Sequence, residues 1–575
     1  MASYTNLIIK WYIYEAVAFS LYDAAIDLDS SNYRNHEQES RTEPAYRQAG
    51  MNKSYITHFI IKLVLILFMV KKYLILLLSL TSCGVFKSRV PQPKIEFRGF
   101  WVATVVNIDW PKNGKDAIEK QKADYIEILD FYQKLNFNAA IVQIRTAGDA
   151  FYSSDYAPWS RFLTGSEGEF IKSKENVLSW MIKETHKRGM EFHAWLNPYR
   201  ATFDLKTEIL SPSHDFNLHP EWMLKYGKKY YYDPGLPEVQ ERMVSVIDEI
   251  VSKYDVDAIH FDDYFYPYTI RNEIFNDETT YYNCAKPEQS LGDWRRSNID
   301  SLIKKSYDII KTRKPWVQFG VSPFGVWKNN STDPKGSDTK AGQTTYENLY
   351  ADPLLWMEKG WIDYLIPQVY WSMGLPVASH RKIVDWWANN STNTNLYIGN
   401  GAYKVRNNSD TAWNDKKELP QQIRLARETD AVLGNVFFSA KSLMHGNDDV
   451  VDYLKKKYYK RSALPPISPF VSDSMASPIT FEKMNVKVDS VFLTFNGLKK
   501  YRYALIYSSR RKLKTTYPIK KLLVKSVVEK GIGITVHKNL LKHKKNIALT
   551  FIDKFGKESN PIIIHLSKLP KNKTN

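Results

Sequence analysis

A chain of 575 residues is too long for one ordinary domain, and its two cysteines exclude a disulfide framework, so one large domain plus a smaller one is expected. The net charge of +18, with lysines crowded into the last hundred residues, favours anionic surfaces such as acidic wall polymer or lipid head groups. It is equally compatible with solvated decoration, and nucleic acid is a poor partner for the exported protein that the N-terminal region describes.

Residues 1–68 fit nothing downstream and are expected to be an extension from a start codon placed too far upstream, with Met69 or Met51 as the true beginning. Residues 69–83 read as an export signal: Met69-Val-Lys-Lys, an apolar run from Tyr73 to Leu80, then Leu80-Thr-Ser-Cys83. A cysteine directly after such a cut resembles the bacterial lipoprotein box, so Cys83 is the expected lipidation site. A membrane span over Phe59–Leu80 is the alternative, but Lys71 and Lys72 interrupt it. Cys284 is then a lone loop thiol.

From residue 95 to 460 short apolar runs alternate with amphipathic stretches, the pattern of βα units and a parallel sheet. The runs are Phe97–Val105, Ala139–Arg145, Glu191–Asn197, Ala258–Tyr264, Val317–Pro323, Tyr364–Trp371, Leu396–Lys404 and Asn435–Ser442. Between them Val239, Met243, Val246 and Ile250 recur at helical spacing, as do Ile118, Tyr125, Leu129 and Tyr132. Eight strands with intervening helices predict an α/β fold, a (β/α)8 TIM barrel. The rival is an open doubly wound sheet, but no glycine-rich phosphate turn opens a helix, which also argues against a dinucleotide. Residues 145–170, 197–236, 265–292 and 324–345, rich in Gly, Pro, Asn, Tyr and Trp, are expected to wall a groove over the barrel mouth. Leu464-Pro-Pro-Ile-Ser-Pro469 reads as a stiff linker over 464–470. Residues 471–575 then alternate as a small C-terminal β-sandwich of fibronectin type III or immunoglobulin-like kind.

The most informative stretch is His260-Phe-Asp-Asp-Tyr-Phe-Tyr-Pro267, where two adjacent carboxylates stand at the end of the fourth strand among aromatic rings. A solvated Asp-Asp turn is the bland alternative. Phe97-Arg-Gly-Phe-Trp101, Gln143-Ile-Arg-Thr-Ala-Gly-Asp-Ala-Phe-Tyr152, Ala157-Pro-Trp-Ser160 and Leu163-Thr-Gly165 precede it. Ala194-Trp-Leu-Asn-Pro-Tyr-Arg200, Val321-Ser-Pro-Phe-Gly325 and Pro367-Gln-Val-Tyr-Trp371 complete the set. In this order, over about residues 95–460, they resemble the family-10 glycosyl-hydrolase-like proteins, a bacterial group related to the TIM-barrel glycosidases. The resemblance implies a glycoside hydrolase acting on peptidoglycan, particularly strands stripped of their peptides.

Most glycosidases use two carboxyl groups flanking the bond. The strand ends here are poor in acids: beyond Asp262 and Asp263 the nearest are Asp149, Asp109 and a loop acid such as Glu273. The alternative is assistance by the substrate's own acetamido group. Asp262 is then assigned to the acetamide and Asp263 to general acid/base catalysis, which requires the chain to bulge or turn at Asp263, because regular alternation points them to opposite sides. Expected substrate-binding residues are Arg98, Trp101, Arg145, Asp149, Asn197, Tyr199, Tyr264, Tyr266, Trp327, Gln368, Tyr370 and Trp371. Arg145 either binds a hydroxyl or carboxylate or pairs with Asp149, and Arg200 shapes the rim. His260 is expected to pack inside the barrel. No His/Cys cluster has metal spacing and no Gly-x-Ser-x-Gly elbow occurs, so neither metal nor cofactor nor a serine nucleophile is expected. Rival readings are a glycosidase on environmental polysaccharide and a barrel that binds glycan without cleaving it. The expected protein is monomeric, lipid-anchored in the cell envelope and periplasm-facing. Replacing Cys83 with Ala should release it from membranes, as fractionation would show; an integral-membrane pattern in that variant would instead establish the apolar run as the anchor.

Overall fold

The computed structural model describes residues 58, 61–72, 90–470, 478–509, 522–542, 544 and 546–566. The chain divides into compact units at residues 1–89 and 90–575. In the first, residues 61–72 are helical, and among the described residues no helix is long and apolar enough to cross a membrane. The export signal and Cys83 lie outside the described residues.

The second unit contains a closed parallel barrel of eight strands. They are β1 (Phe97–Val102), β2 (Ala139–Arg145), β3 (Glu191–Leu196), β4 (Ala258–Phe261), β5 (Gln318–Val321), β6 (Tyr364–Leu365), β7 (Asn395–Asn400) and β8 (Val432–Phe437). Each neighbours the next, and β1 pairs with β8 through Phe97–Gly434 to Phe100–Phe437. All eight expected runs are therefore strands of one ring. Helices cover it, among them α1 (Ile118–Lys134), α2 (Val177–Lys187), α3 (Pro237–Lys253), α4 (Leu291–Arg313), α5 (Pro353–Glu358), α6 (His380–Asn390) and α7 (Glu418–Glu428). In α3, Pro237 occupies the first turn, where a missing N–H costs nothing, and Val239, Met243, Val246 and Ile250 form the buried stripe.

Alternation along each strand sorts side chains into two cores. Phe97, Trp101, Ala139, Ile141, Trp195, Ala258, Tyr364, Tyr397 and Val436 fill the barrel, whereas Phe100, Val102, Ala140, Val142, Phe192, Ile259 and Phe261 pack toward the helices. The interior is close-packed: the Phe97 and Tyr397 rings stack at 4.1 Å, and Gly320 lies so close to the Tyr364 ring that a Cβ there would collide with it. A buried polar chain crosses this core. His260 meets Ser322 Oγ at 3.0 Å, Trp101 Nε1 at 3.4 Å and the Tyr364 hydroxyl at 3.2 Å. Tyr364 also meets His193 Nδ1 at 2.9 Å. Burial holds His260 well below its usual titration range, so it is a neutral packed residue, as its place in the sequence suggested.

Alternation also removes Arg98 from the mouth. It points outward at the barrel's other end, paired with Glu96 at 2.6 Å, donating to Arg461 O at 2.6 Å and lying 4.5 Å from the centre of the Tyr459 ring. Glu96 in turn binds Arg427 at 2.6 Å. Arg98 closes the barrel bottom and is not a substrate ligand.

After the barrel come β9 (Thr480–Val486), β10 (Ser490–Asn496), β11 (Tyr501–Ser509), β12 (Leu522–Val527), β13 (Gly533–His537), β14 (Asn546–Asp553) and β15 (Ile562–His565). They form two antiparallel sheets, β9-β10-β13 and β12-β11-β14-β15. One hydrophobic cluster draws on both, with Val491, Leu493 and Phe495 meeting Ile506, Leu549 and Phe551. This module sits against the N-terminal ends of the barrel strands. Arg502 pairs with Asp257 and, at 2.8 Å, with Asp255; Lys525 Nζ donates to Gly189 O at 2.8 Å; Tyr503 donates to Met190 O at 3.3 Å. The segment read as a stiff spacer is bonded to the barrel along its length. Leu464 pairs with Ile95, Asn395 donates to Ile467 O at 2.8 Å, and Ser468 donates to Asp363 at 2.6 Å. Arg502→Ala leaves the buried Asp257 carboxylate with Phe192 N and His186 but no arginine, and should lower the unfolding free energy by about 3 kcal/mol in denaturant titration. Deleting residues 465–575 should lower the melting temperature further; an unchanged melt would show that the module contributes nothing to barrel stability.

Candidate active site

A cleft of about 410 Å³ opens at the C-terminal ends of the barrel strands. That is the end where loops of a (β/α)8 barrel surround a ligand. Asp262 lies on its floor, one residue beyond the last hydrogen-bonded residue of β4. Its Oδ1 accepts from Asp263 N and Gln368 Nε2, both at 2.9 Å, while Gln368 also donates to Ser322 O at 2.9 Å. One carboxylate oxygen is thus fixed by the turn and by the segment after β6, and the carboxyl also meets that of Asp263 at the edge of the cleft floor.

Asp263 behaves differently. Asp263 sits at a bend, and its carboxyl comes within hydrogen-bonding reach of the Asp262 carboxyl. It is 1% exposed, does not line the cleft, and accepts from the Tyr268 hydroxyl, whose ring does. The chain does turn at Asp263, as bringing both acids together requires, but the Asp263 carboxyl stays buried behind the lining, so the expectation that it reaches the substrate is corrected to a contact with Asp262. Burial, and then the neighbouring Asp262 charge, push the Asp263 carboxyl well above its ordinary range. Burial also raises Asp262, opposed by the Asp263 N–H, the Arg200 charge and Gln368. The two titrate as a pair that holds a proton more tightly than a free aspartate does.

Around this floor the structure gathers Trp101, Asn197, Tyr264, Gln368, Tyr370 and Trp371, all expected from the sequence. Asn197 is held by Trp195 Nε1 at 3.2 Å and donates to Thr146 O at 3.1 Å. Burial pushes the Tyr370 hydroxyl well above its usual range, so it stays a neutral donor.

Five other expected ligands lie elsewhere. The register of β2 against β3 slips between Gln143 and Arg145, a bulge that pairs Arg145 with Leu196 and turns it out of the barrel. There Arg145 meets Asp149 O and the Tyr232 hydroxyl, both at 3.4 Å. The Asp149 carboxylate is consumed locally by Thr146 N at 2.8 Å and Ala147 N at 2.9 Å, so Arg145 contacts its backbone and not its charge. Tyr199 is fully buried in the outer core. Tyr266 packs under Arg295, whose guanidinium carbon is 5.3 Å from its ring. Trp327 stacks on Trp386 at 5.6 Å and donates to Asp352 at 3.3 Å. The remaining acids are also engaged: Asp109 accepts from Ala103 N at 2.8 Å and Lys441 N at 2.9 Å, and Glu273 accepts from Gly227 N at 2.6 Å.

Several lining residues escaped the sequence reading, chiefly Gln143, Trp195, Phe324, Tyr403, Lys404 and Phe438. Gln143 and Trp195 were findable, since strict alternation from Ile141 and His193 aims them inward. The others sit in loops, where no periodicity operates. The long loop after β2 was expected to wall the groove, yet none of residues 146–170 lines it; Phe151, Tyr152 and Trp159 anchor it in the outer core instead.

A family model described as glycosyl hydrolase-like 10 matches residues 96–415. The chain belongs to this family. Its relatives include the glycosyl hydrolase YngK of Bacillus subtilis (strain 168), 44% identical over 401 residues, which are 68% of this chain and 78% of YngK. The glycosyl hydrolase DigH of Escherichia coli (strain K12) is 37% identical over 385 residues, 63% of this chain and 87% of DigH. Among solved structures, the PgaB (BpsB) glycoside hydrolase domain of Bordetella bronchiseptica superposes with a TM-score of 0.43 at 11% identity, covering 64% of this chain and 99% of that domain. The glycosidase resemblance read from the ordered segments is therefore that of this glycosyl hydrolase-like 10 protein's own family and of its curated relatives' names.

The carboxyl pair offers a direct test. Gln368 donates to the charged form of Asp262, so Gln368→Leu should move the Asp262 titration to higher pH, and Tyr268→Phe should do the same for Asp263. Carbon-13 NMR of labelled aspartate carboxyls would follow both; unshifted midpoints would show that these hydrogen bonds do not set the ionisation.

Proposed function

We propose that this protein is a glycoside hydrolase acting on N-acetylhexosamine-containing glycan of the cell envelope, peptidoglycan strands above all, by substrate assistance. The observation that carries this reading is the cleft's acid content: among its lining residues Asp262 is the single carboxylate. A two-carboxylate displacement needs a second acid about 5–10 Å across the bond. Asp149, Asp109 and Glu273 lie outside the lining, each tied to a backbone amide. The substrate's acetamido oxygen supplies the missing nucleophile.

In this scheme the acetamido oxygen forms a bond to the anomeric carbon as the glycosidic C–O bond breaks. Asp262 gives its proton to the leaving oxygen, since it is the acid that faces the substrate. Water then attacks the anomeric carbon, opens the ring formed by the acetamide and returns a proton to Asp262. The Tyr370 hydroxyl donates to the acetamide, and Trp101 and Trp371 supply faces for sugar rings. Asp263 is a positioning residue: its backbone N–H holds Asp262 Oδ1, and its carboxyl keeps Tyr268 in place. This moves the acid role assigned to Asp263 from sequence onto Asp262, because Asp262 has the access that general acid catalysis demands, and gives the acetamide to Tyr370. We place the protein in the envelope, tethered through Cys83, and read its C-terminal sheets as a fibronectin type III or immunoglobulin-like sandwich.

Asp262→Asn should lower turnover on natural strands by about 10²- to 10⁴-fold, the usual worth of acid catalysis, and lose much less on an aryl glycoside that leaves unprotonated. A thiazoline mimic of the cyclised acetamide should inhibit competitively. Full activity on sugars lacking the N-acetyl group would overturn substrate assistance, and wild-type rates in Asp262→Asn would overturn the site.

A further inference from the structure

The cleft contains a cation that the reaction above does not use. Arg200 stands in the loop after β3, with its backbone bridged to Tyr231 of the hairpin Met223–Tyr226/Lys229–Tyr232. It lines the cleft and is 6% exposed, yet it forms no ion pair with any described carboxylate, and its Nε has no hydrogen-bond partner. Its contact is with Tyr264: the guanidinium carbon lies 4.3 Å from the centre of that ring. Of the other deeply buried arginines of this barrel, Arg98 is matched by Glu96 and Arg295 by Asp277 at 2.5 Å, while Arg145, also without an acid, lies outside the cleft lining against Asp149 O and the Tyr232 hydroxyl. A guanidinium taken out of water without a paired carboxylate is costly, and the hydrogen bond of Arg200 with Tyr264 still leaves its Nε unpartnered. Asp262 feels its charge without binding it.

The opposite side of the mouth repeats the pattern more weakly. Lys404 follows β7, four strands around the ring from β3, and lines the same cleft half-buried, with the Tyr403 ring 5.8 Å from its amine and the Asp410 charge acting on it without an ion pair. A bound chain crossing the mouth meets a cation on each side of Asp262.

We infer that Arg200 is a carboxylate-binding residue of the cleft, which makes the preferred ligand an acidic glycan, one whose sugars carry carboxylate groups alongside N-acetylhexosamine. The planar fork of Arg200 pairs bidentately with such a carboxylate while Tyr264 holds it flat. Lys404 supplies a less directional attraction to a second acidic group further along the chain. This inference rests on the glycan-binding reading of the same cleft. The carboxylate can come from a lactyl ether, as on muramyl sugars, or from a uronic acid.

Binding tests it without relying on turnover. Full-length Asp262→Asn protein is titrated calorimetrically with peptide-free peptidoglycan oligosaccharides and with the same oligosaccharides after carbodiimide activation and borohydride reduction, which turns each carboxylate into a hydroxymethyl group. Hyaluronan oligosaccharides, before and after the same reduction, form the uronate arm. The carboxylated form of one series should bind about 10- to 100-fold tighter than its reduced form, the range for a charge-assisted contact, and that series names the source. Adding Arg200→Gln should abolish the gap, Arg200→Lys should restore part of it, and Lys404→Gln should narrow it. Equal affinity for carboxylated and reduced forms in both series overturns the inference, as does an Arg200→Gln effect of the same size on both forms, which marks a merely structural role. If the gap holds while wild-type protein cleaves none of these oligosaccharides, the hydrolase reading falls and the carboxylate site stands.

Discussion

Closing eight short strands into a ring forces every second side chain inward, and the strands' own twist leaves room there for close packing only. Which residues this protein can show to a ligand follows from that constraint. Inside, Phe97 and Tyr397 stack near the bottom, Tyr364 spans the middle over Gly320, and Trp101 and Trp195 end at the cleft. His260 and Asp262 share one face of β4 and its extension, so the acid on the cleft floor stands directly above a histidine bonded to Ser322 and Tyr364. A floor supported by packed rings and hydrogen bonds holds its carboxylate in place before any substrate arrives.

Acids are scarce at this mouth, and the scarcity gives the surviving ones their character. Asp109 and Asp149 cap backbone amides, and Glu273 caps the turn of the hairpin after β3. Asp262 remains as the acid in contact with the cleft, and Asp263 lies behind it under Tyr268. Placing two carboxyls side by side in a buried setting favours retention of a proton, because a second negative charge there has neither solvent nor a paired cation to stabilise it. Arg200 is close enough to temper Asp262 without quenching it, since its guanidinium lies on Tyr264 instead.

The opposite end of the barrel is organised by charge pairing. Glu96 joins Arg98 and Arg427, Lys311 meets Asp363 at 2.7 Å, and Arg502 of the C-terminal module reaches Asp255 and Asp257. The module thereby covers strand N-termini and leaves the cleft end open. Chemistry and docking are separated along the barrel axis, the usual division in this architecture, where the N-terminal face serves stability.

Every barrel strand was legible in the sequence, because a strand buried on both faces shows as a short apolar run wherever it lies in the chain. The Asp-Asp segment was legible too, since carboxylates directly after such a run have few other uses, and so were the aromatic residues after β6. The chain could not reveal features that depend on partners distant in sequence. One slipped register in β2 turned Arg145 outward; outward alternation at the closed bottom made Arg98 a partner of Glu96; and the linker's prolines gave no sign that Ile467 and Ser468 bond to β7 and to Asp363 beside β6. Sequence alone determined which elements form and where the acids fall along them, because those depend on local periodicity. Tertiary structure decided which of two adjacent aspartates meets the cleft and which arginine without a counterion lines it. Both outcomes depend on how the ring closes and on which distant groups its closure brings within hydrogen-bonding reach.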